Sequence, residues 1–241
     1  MDNGNRSNAS PIGEVLGTTS SPAARTNTRR LALGALLTAL FVPANAIPID
    51  AFIGGAGFIT AGILLLPVIA RLLRPREAVV MAVLAAMGLL MFQLSIVPVF
   101  GFFGLLVPVI AIVMGSLGSH RSYLFPASYV LLGALWYLNF SGGTLLWLAP
   151  YVIAIALSVA QQGGLFRGSQ RTETVVHTLD ATMCELVTLN IGSISLLHLS
   201  GGLWTVITPF MFLERSIAVI GGSSILFTLA KIRGPLRLEG L

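Results

Sequence analysis

The chain is a string of eight apolar runs, each long enough to cross the ~30 Å hydrocarbon core of a bilayer as a helix. They fall at about 31–47, 52–73, 77–96, 99–118, 123–139, 144–160, 178–199 and 206–230. Membrane barrel strands need only about 9–11 residues, so these runs are too long for a barrel. Within lipid, every backbone N–H and C=O must be satisfied inside the protein, and a helix does so within its own segment. The runs therefore predict an all-α polytopic membrane protein with about eight transmembrane helices, placed in the cell membrane as a multi-pass domain over residues 29–233. Composition agrees. Only 10% of the residues are charged and 55% are hydrophobic, against about 25% charged in a soluble domain. Residues 1–28, rich in Asn, Ser, Thr, Gly and Pro, read as a disordered cytoplasmic tail, and 234–241 as a short cytoplasmic tail.

Charge placement predicts the topology. Lys and Arg concentrate in cytoplasmic connections. Arg25, Arg29 and Arg30 precede the first run. Arg71, Arg74 and Arg76 separate the second from the third, Arg121 the fourth from the fifth, and Arg167 and Arg171 the sixth from the seventh. Lys231, Arg233 and Arg237 follow the eighth. The intervening connections carry no Lys or Arg, and every basic residue except Arg215 falls on one side. Both termini are therefore expected inside. The same placement assigns the pI of about 10.1 to topology and contact with anionic lipid rather than to nucleic acid. Trp136, Trp147 and Trp204 lie near the outer ends of their runs, as an interfacial belt would. Arg29-Arg30, the run Leu31 to Val42 and Ala44-Asn45-Ala46 also have the pattern of a cleavable signal peptide, although the long segment before Arg29 is unusual for one.

Catalytic motifs are missing from the sequence. Lys231, the single lysine, follows Ala230 rather than a glycine-rich loop, so there is no P-loop. Cys184 is the single cysteine, which excludes an internal disulfide and a Cys-x-x-Cys pair. His120, His177 and His198 lie on different connections and run ends, read as interfacial, with a spacing that suits no metal. A thiol peptidase built on Cys184 and His198 fails on distance, about 21 Å along one helix at 1.5 Å per residue. The expectation is a protein that is not an enzyme and uses no cofactor or metal.

Polar residues inside the runs are the functional candidates, since ionisable groups are costly in lipid. Glu214-Arg215 is the clearest case. Arg215 precedes Lys231 by about 24 Å of helix, which puts it in the outer half of the bilayer. It suits either a structural ion pair or a ligand-facing charge. Asn190, Ile194 and His198 follow at four-residue steps on the seventh run. Glu185 lies deeper and Asp180 reads as interfacial. Gln93, Asn190, Glu214 and Arg215 form the candidate set for an outward cavity, with His198 at its edge and Trp204 closing it. In the first run, Ala35 and Ala39 with Ala32 and Gly34 give a small-xxx-small surface that admits close helix approach.

These segments together carry a family resemblance. A basic pair leads into Leu31-Ala32-Leu33-Gly34-Ala35-Leu36-Leu37-Thr38-Ala39-Leu40. Leu73-Arg74-Pro75-Arg76-Glu77-Ala78 opens a later run, and Phe212-Leu213-Glu214-Arg215-Ser216-Ile217-Ala218-Val219-Ile220-Gly221 leads to Lys231. Across most of 29–233 the chain resembles the substrate-binding S components of energy-coupling factor transporters. The resemblance implies a vitamin-like small-molecule nutrient bound in an outward pocket. It also implies a membrane coupling protein docked on Ala35 and Ala39, and cytoplasmic ATPases supplied by other chains. Such components typically have six spans, so the eight runs imply a six-helix core plus an extra hairpin, with the fifth and sixth runs as candidates. A stand-alone proton-coupled secondary transporter using Glu185 or Glu214 and a non-catalytic subunit of a larger membrane complex are the other readings.

Overall fold

The computed structural model describes residues 22–48, 60–92, 94, 97–166 and 168–236. The described residues are helical throughout apart from short connections and one isolated β-bridge, Pro48 to Thr60, which closes the first connection. Among the described residues, helical segments run in order as α1 Pro22–Ala44, α2 Ala61–Leu72, α3 Pro75–Phe92, α4 Val97–His120, α5 Leu124–Phe140, α6 Leu145–Gln162, α7 Gln170–Ser195 and α8 Gly201–Leu236. Among the described residues, four of them are long and apolar enough to cross a membrane: α3, α4, α6 and α8 over Gly201–Ile232, while α2 and α5 are shorter apolar helices. Helix extends into both stretches read as tails, since α1 starts at Pro22 and α8 reaches Leu236.

Local chemistry fixes the helix starts. Pro75 stands at the start of α3, where a missing N–H costs nothing. Glu77 in its first turn accepts from the Arg74 backbone N–H at 3.0 Å. Thr144 and Ser169 each precede a helix and accept from a backbone N–H two or three residues on. Gly101, at φ +56°, takes a left-handed conformation open to glycine where the Val97–Phe100 turn of α4 gives way to a 3-10 turn over Gly101–Leu105.

The bundle is inverted relative to a soluble one. Exposed positions are apolar, as on α3 (Val79, Val80, Val83, Leu84, Met87) and α5 (Leu131, Leu132, Leu135, Leu138). The most polar helix, α7, is the most enclosed. It packs against α2, α4, α5, α6 and α8, and its buried positions include His177, Thr178, Asp180, Thr182, Thr188 and Asn190. Its neighbours supply the apolar outer surface, so α7 can carry polar groups that a lipid-facing helix could not.

Two apolar cores flank this axis. One joins α1 to α4 with Leu226 of α8, around Phe41, Leu66, Ile69, Leu73, Leu89 and Ile112. The other joins α5 to α8 around Tyr137, Trp147, Tyr151, Met183, Val187 and Trp204. Ion pairs and hydrogen bonds tie the helix ends that carry the basic residues. Arg30 of α1 meets Glu77 of α3 at 2.7 Å, Arg71 of α2 meets Glu173 of α7 at 2.5 Å, and Gln162 of α6 accepts from Ser122 and from the Tyr123 backbone. This is called the basic end below.

Candidate functional site

The best-defined polar assembly lies where α6, α7 and α8 meet. On α8, Trp204, Thr208, Met211, Arg215, Ala218 and Gly222 are buried. Their steps of four and three residues make one helical stripe. Glu214 falls off this stripe and is half-buried. The stripe faces α7, which is why Arg215 meets a partner on another helix instead of its neighbour in sequence.

Arg215 Nη1 donates to the Thr182 carbonyl at 2.6 Å and to Glu185 Oε2 at 3.0 Å. The side chains of the pair are 5% and 14% exposed. The Arg215 Nε is buried without an acceptor. Toward the opposite end from the basic one, the Asn190 amide donates to the Tyr151 hydroxyl across α7 and α6. Beyond them Tyr137, Trp147 and Trp204 form a packed aromatic cluster. Tyr137 stacks on Trp147 at 6.0 Å, and Trp204 meets both edge-on at 5.5 and 5.0 Å, the offset and edge geometries that ring quadrupoles favour. The Tyr137 hydroxyl donates to the Thr144 carbonyl at 3.1 Å. The indole N–H of Trp204 is buried without an acceptor, while that of Trp147 faces the Tyr151 hydroxyl. The column from Trp204 down to Arg215 thus presents surplus donors, an arrangement that suits an acceptor-rich or anionic group.

Of the sequence-derived candidates, this column brings together Arg215, Asn190 and Trp204. Glu185 joins as the partner of Arg215. His198 does not join them. α7 ends at Ser195, and His198 sits exposed beyond it at φ +49°, so the four-residue row stops at Ile194. Gln93 lies outside the described residues. Ala35 and Ala39 are exposed on the outward face of α1, while Gly34, Leu37 and Phe41 turn inward.

Three expectations are corrected. Trp147 and Trp204 are 2% and 1% exposed, so they fill the bundle at its helix ends and form no lipid-facing belt; Trp136, packed on Phe140 at 4.6 Å, is half-buried. His177 is not interfacial. It is fully enclosed, with Nε2 2.8 Å from the Pro67 carbonyl of α2. Asp180 is not interfacial either. It is buried in α7, with Oδ1 2.6 Å from the Ser158 hydroxyl of α6. His177 and Asp180 turn inward because α7 is the central helix, packed on five neighbours.

Among the described residues, no three His, Cys, Asp or Glu side chains stand close enough to hold a metal ion. Cys184 is buried and free. No family model, curated protein or solved structure matches the chain.

Proposed function

We propose that the chain is a multi-pass cell-membrane protein with both ends in the cytoplasm, which binds a small nutrient for import and draws its energy from separate subunits. The observation that carries this reading is Arg215. A cation buried within an apolar bundle is functional by default, and this one keeps an unshared Nε–H beneath an aromatic cluster that includes Trp204 of its own stripe. Glu185 and the Thr182 carbonyl hold the guanidinium in place, and an incoming carboxylate or phosphate would take up the remaining donors. Asn190 and Tyr151 add neutral polar contacts above it, and Trp204 stands at the outer end of the column.

The resemblance to energy-coupling factor S components supplies the rest: a membrane coupling protein on the Ala35 and Ala39 face of α1 and cytoplasmic ATPases beyond it. The exposure of both alanines leaves that face available. A tagged preparation in mild detergent, analysed by mass spectrometry for proteins and small molecules, tests the proposal. Co-purification of a coupling protein with ATPases, or of a tightly held vitamin-like acid, supports it. An empty, solitary chain that takes up solute in liposomes under a proton gradient replaces it with a secondary transporter, a reading favoured by the buried carboxyl of Asp180. Recovery within a larger assembly replaces it with a structural subunit. For the site itself, Arg215→Lys keeps the charge beside Glu185 but loses the forked donors. It is expected to weaken binding of the co-purified compound at least tenfold with insertion unchanged, and unaltered affinity removes Arg215 from the site.

A further inference from the structure

The second polar locus of the bundle lies nearer the basic end, between α6 and α7, and the import reading makes no use of it. Ser158 Oγ stands 2.7 Å from the Ala154 carbonyl and 2.6 Å from Asp180 Oδ1. A hydroxyl carries one proton, and a backbone carbonyl can only accept. When Ser158 donates to Ala154, its short contact with Asp180 is a hydrogen bond only if the carboxyl donates in return, which a carboxylic acid does and a carboxylate cannot. The surroundings point the same way. Asp180 is 1% exposed, its Oδ2 is buried with no hydrogen-bond partner, and it joins none of the ion pairs among the described residues. An ionised carboxylate in this place would be a buried charge without a counter-charge, whereas the neutral acid is an ordinary buried polar group.

The charged and titratable groups around it leave the site neutral. Tyr123, at the start of α5, lies within electrostatic range of Asp180 and of Arg71 and Glu173, but the charge of Arg71 on α2 is already matched by Glu173. Cys184, one turn along α7, also lies within range of Asp180. On the remaining neighbours, His120 of α4 acts on His177 and Arg215 of α8 on Glu185. α6 contributes the hydroxyl of Ser158.

We infer that Asp180, hydrogen-bonded to Ser158, is a proton-binding site inside the bundle, occupied at neutral pH and emptied when the site is opened to alkaline water. Loss of the proton breaks the carboxyl O–H bond, sends the proton to solvent and changes the site from neutral to a single negative charge. That charge change, two turns from the basic end on the central helix, links the packing of α6 against α7 to pH.

Infrared difference spectroscopy of the full chain reconstituted in lipid tests this. A protonated-carboxyl C=O band that shifts in deuterium oxide is expected in the wild type at neutral pH, with reversible loss as pH rises. The band should be missing from Asp180→Asn and retained when Glu185→Gln is combined with Arg215→Gln, which leaves no unpaired charge behind. Ser158→Ala, which removes the partner and keeps Asp180, should move the band without abolishing it, and serves if Asp180→Asn does not assemble. Spectra of wild type and Asp180→Asn that coincide, or a Ser158→Ala band that does not move, would overturn the assignment. So would a band indifferent to both alkaline pH and deuterium oxide, which describes a locked structural acid.

Discussion

Glu185 and Arg215 hold opposite charges where neither is well hydrated, and each depends on the other. Removing one partner of such a buried pair leaves an uncompensated charge, at a cost of about 3–5 kcal/mol, whereas removing both costs far less. Glu185→Gln alone is therefore expected to lower the apparent Tm in detergent sharply. Glu185→Gln with Arg215→Gln should recover much of the loss, and a double-mutant cycle measures the coupling directly. Additive losses would mean that the pair is not formed. Part of this arrangement was legible beforehand: Arg215 stood out as the single basic residue off the basic side. The partner was not, because Glu185 is 30 residues away and only the antiparallel packing of α7 on α8 brings it there. His177 and Asp180 were misread for a related reason. Proximity to the end of an apolar run suggests an interface, but the direction a residue faces depends on which helix is central. The low apolarity of the seventh run was the available signal for that.

At the scale of elements, α4 and α7 approach closely because Gly115 has no side chain. A methyl group there would lie 2.9 Å from Ala70 Cβ on α2 and 3.0 Å from Ala181 Cβ on α7. Neither alanine has a rotamer to yield with, so the helices themselves must separate. Overpacking of this kind costs about 1–3 kcal/mol. Gly115→Ala should therefore lower the apparent Tm. Gly202→Ala, at the start of α8 with open space around it, should leave it unchanged or raise it slightly through helix propensity. Equal effects of the two substitutions would contradict the three-helix contact. The helices themselves were well marked in sequence, since each needs a long apolar run whether it faces lipid or protein. Their close contacts were not, because a glycine in an apolar run carries no mark of what it touches.

For the molecule as a whole, the alternation of basic and neutral connections predicts an even number of crossings with both ends inside, and the structure sets up a clean way to test it. The single cysteine, Cys184, is fully buried, so a membrane-impermeant maleimide should label the native protein poorly and react fully only after denaturation. On a Cys184→Ala background, new cysteines then report position alone. Leu165, 74% exposed in the turn between α6 and α7, belongs to the basic end, and Leu145, 72% exposed at the start of α6, to the opposite one. Basic connections are retained in the cytoplasm. In intact cells the reagent should therefore label Leu145→Cys and spare Leu165→Cys, while opening the membrane should expose both. Labelling of both positions in intact cells would mean that α6 does not cross. The reverse pattern would put the donor column, which lies toward the Leu145 end, on the cytoplasmic side, where no nutrient arriving from outside could reach it first. The labelling experiment thus decides topology and, with it, whether an import function is possible for this site.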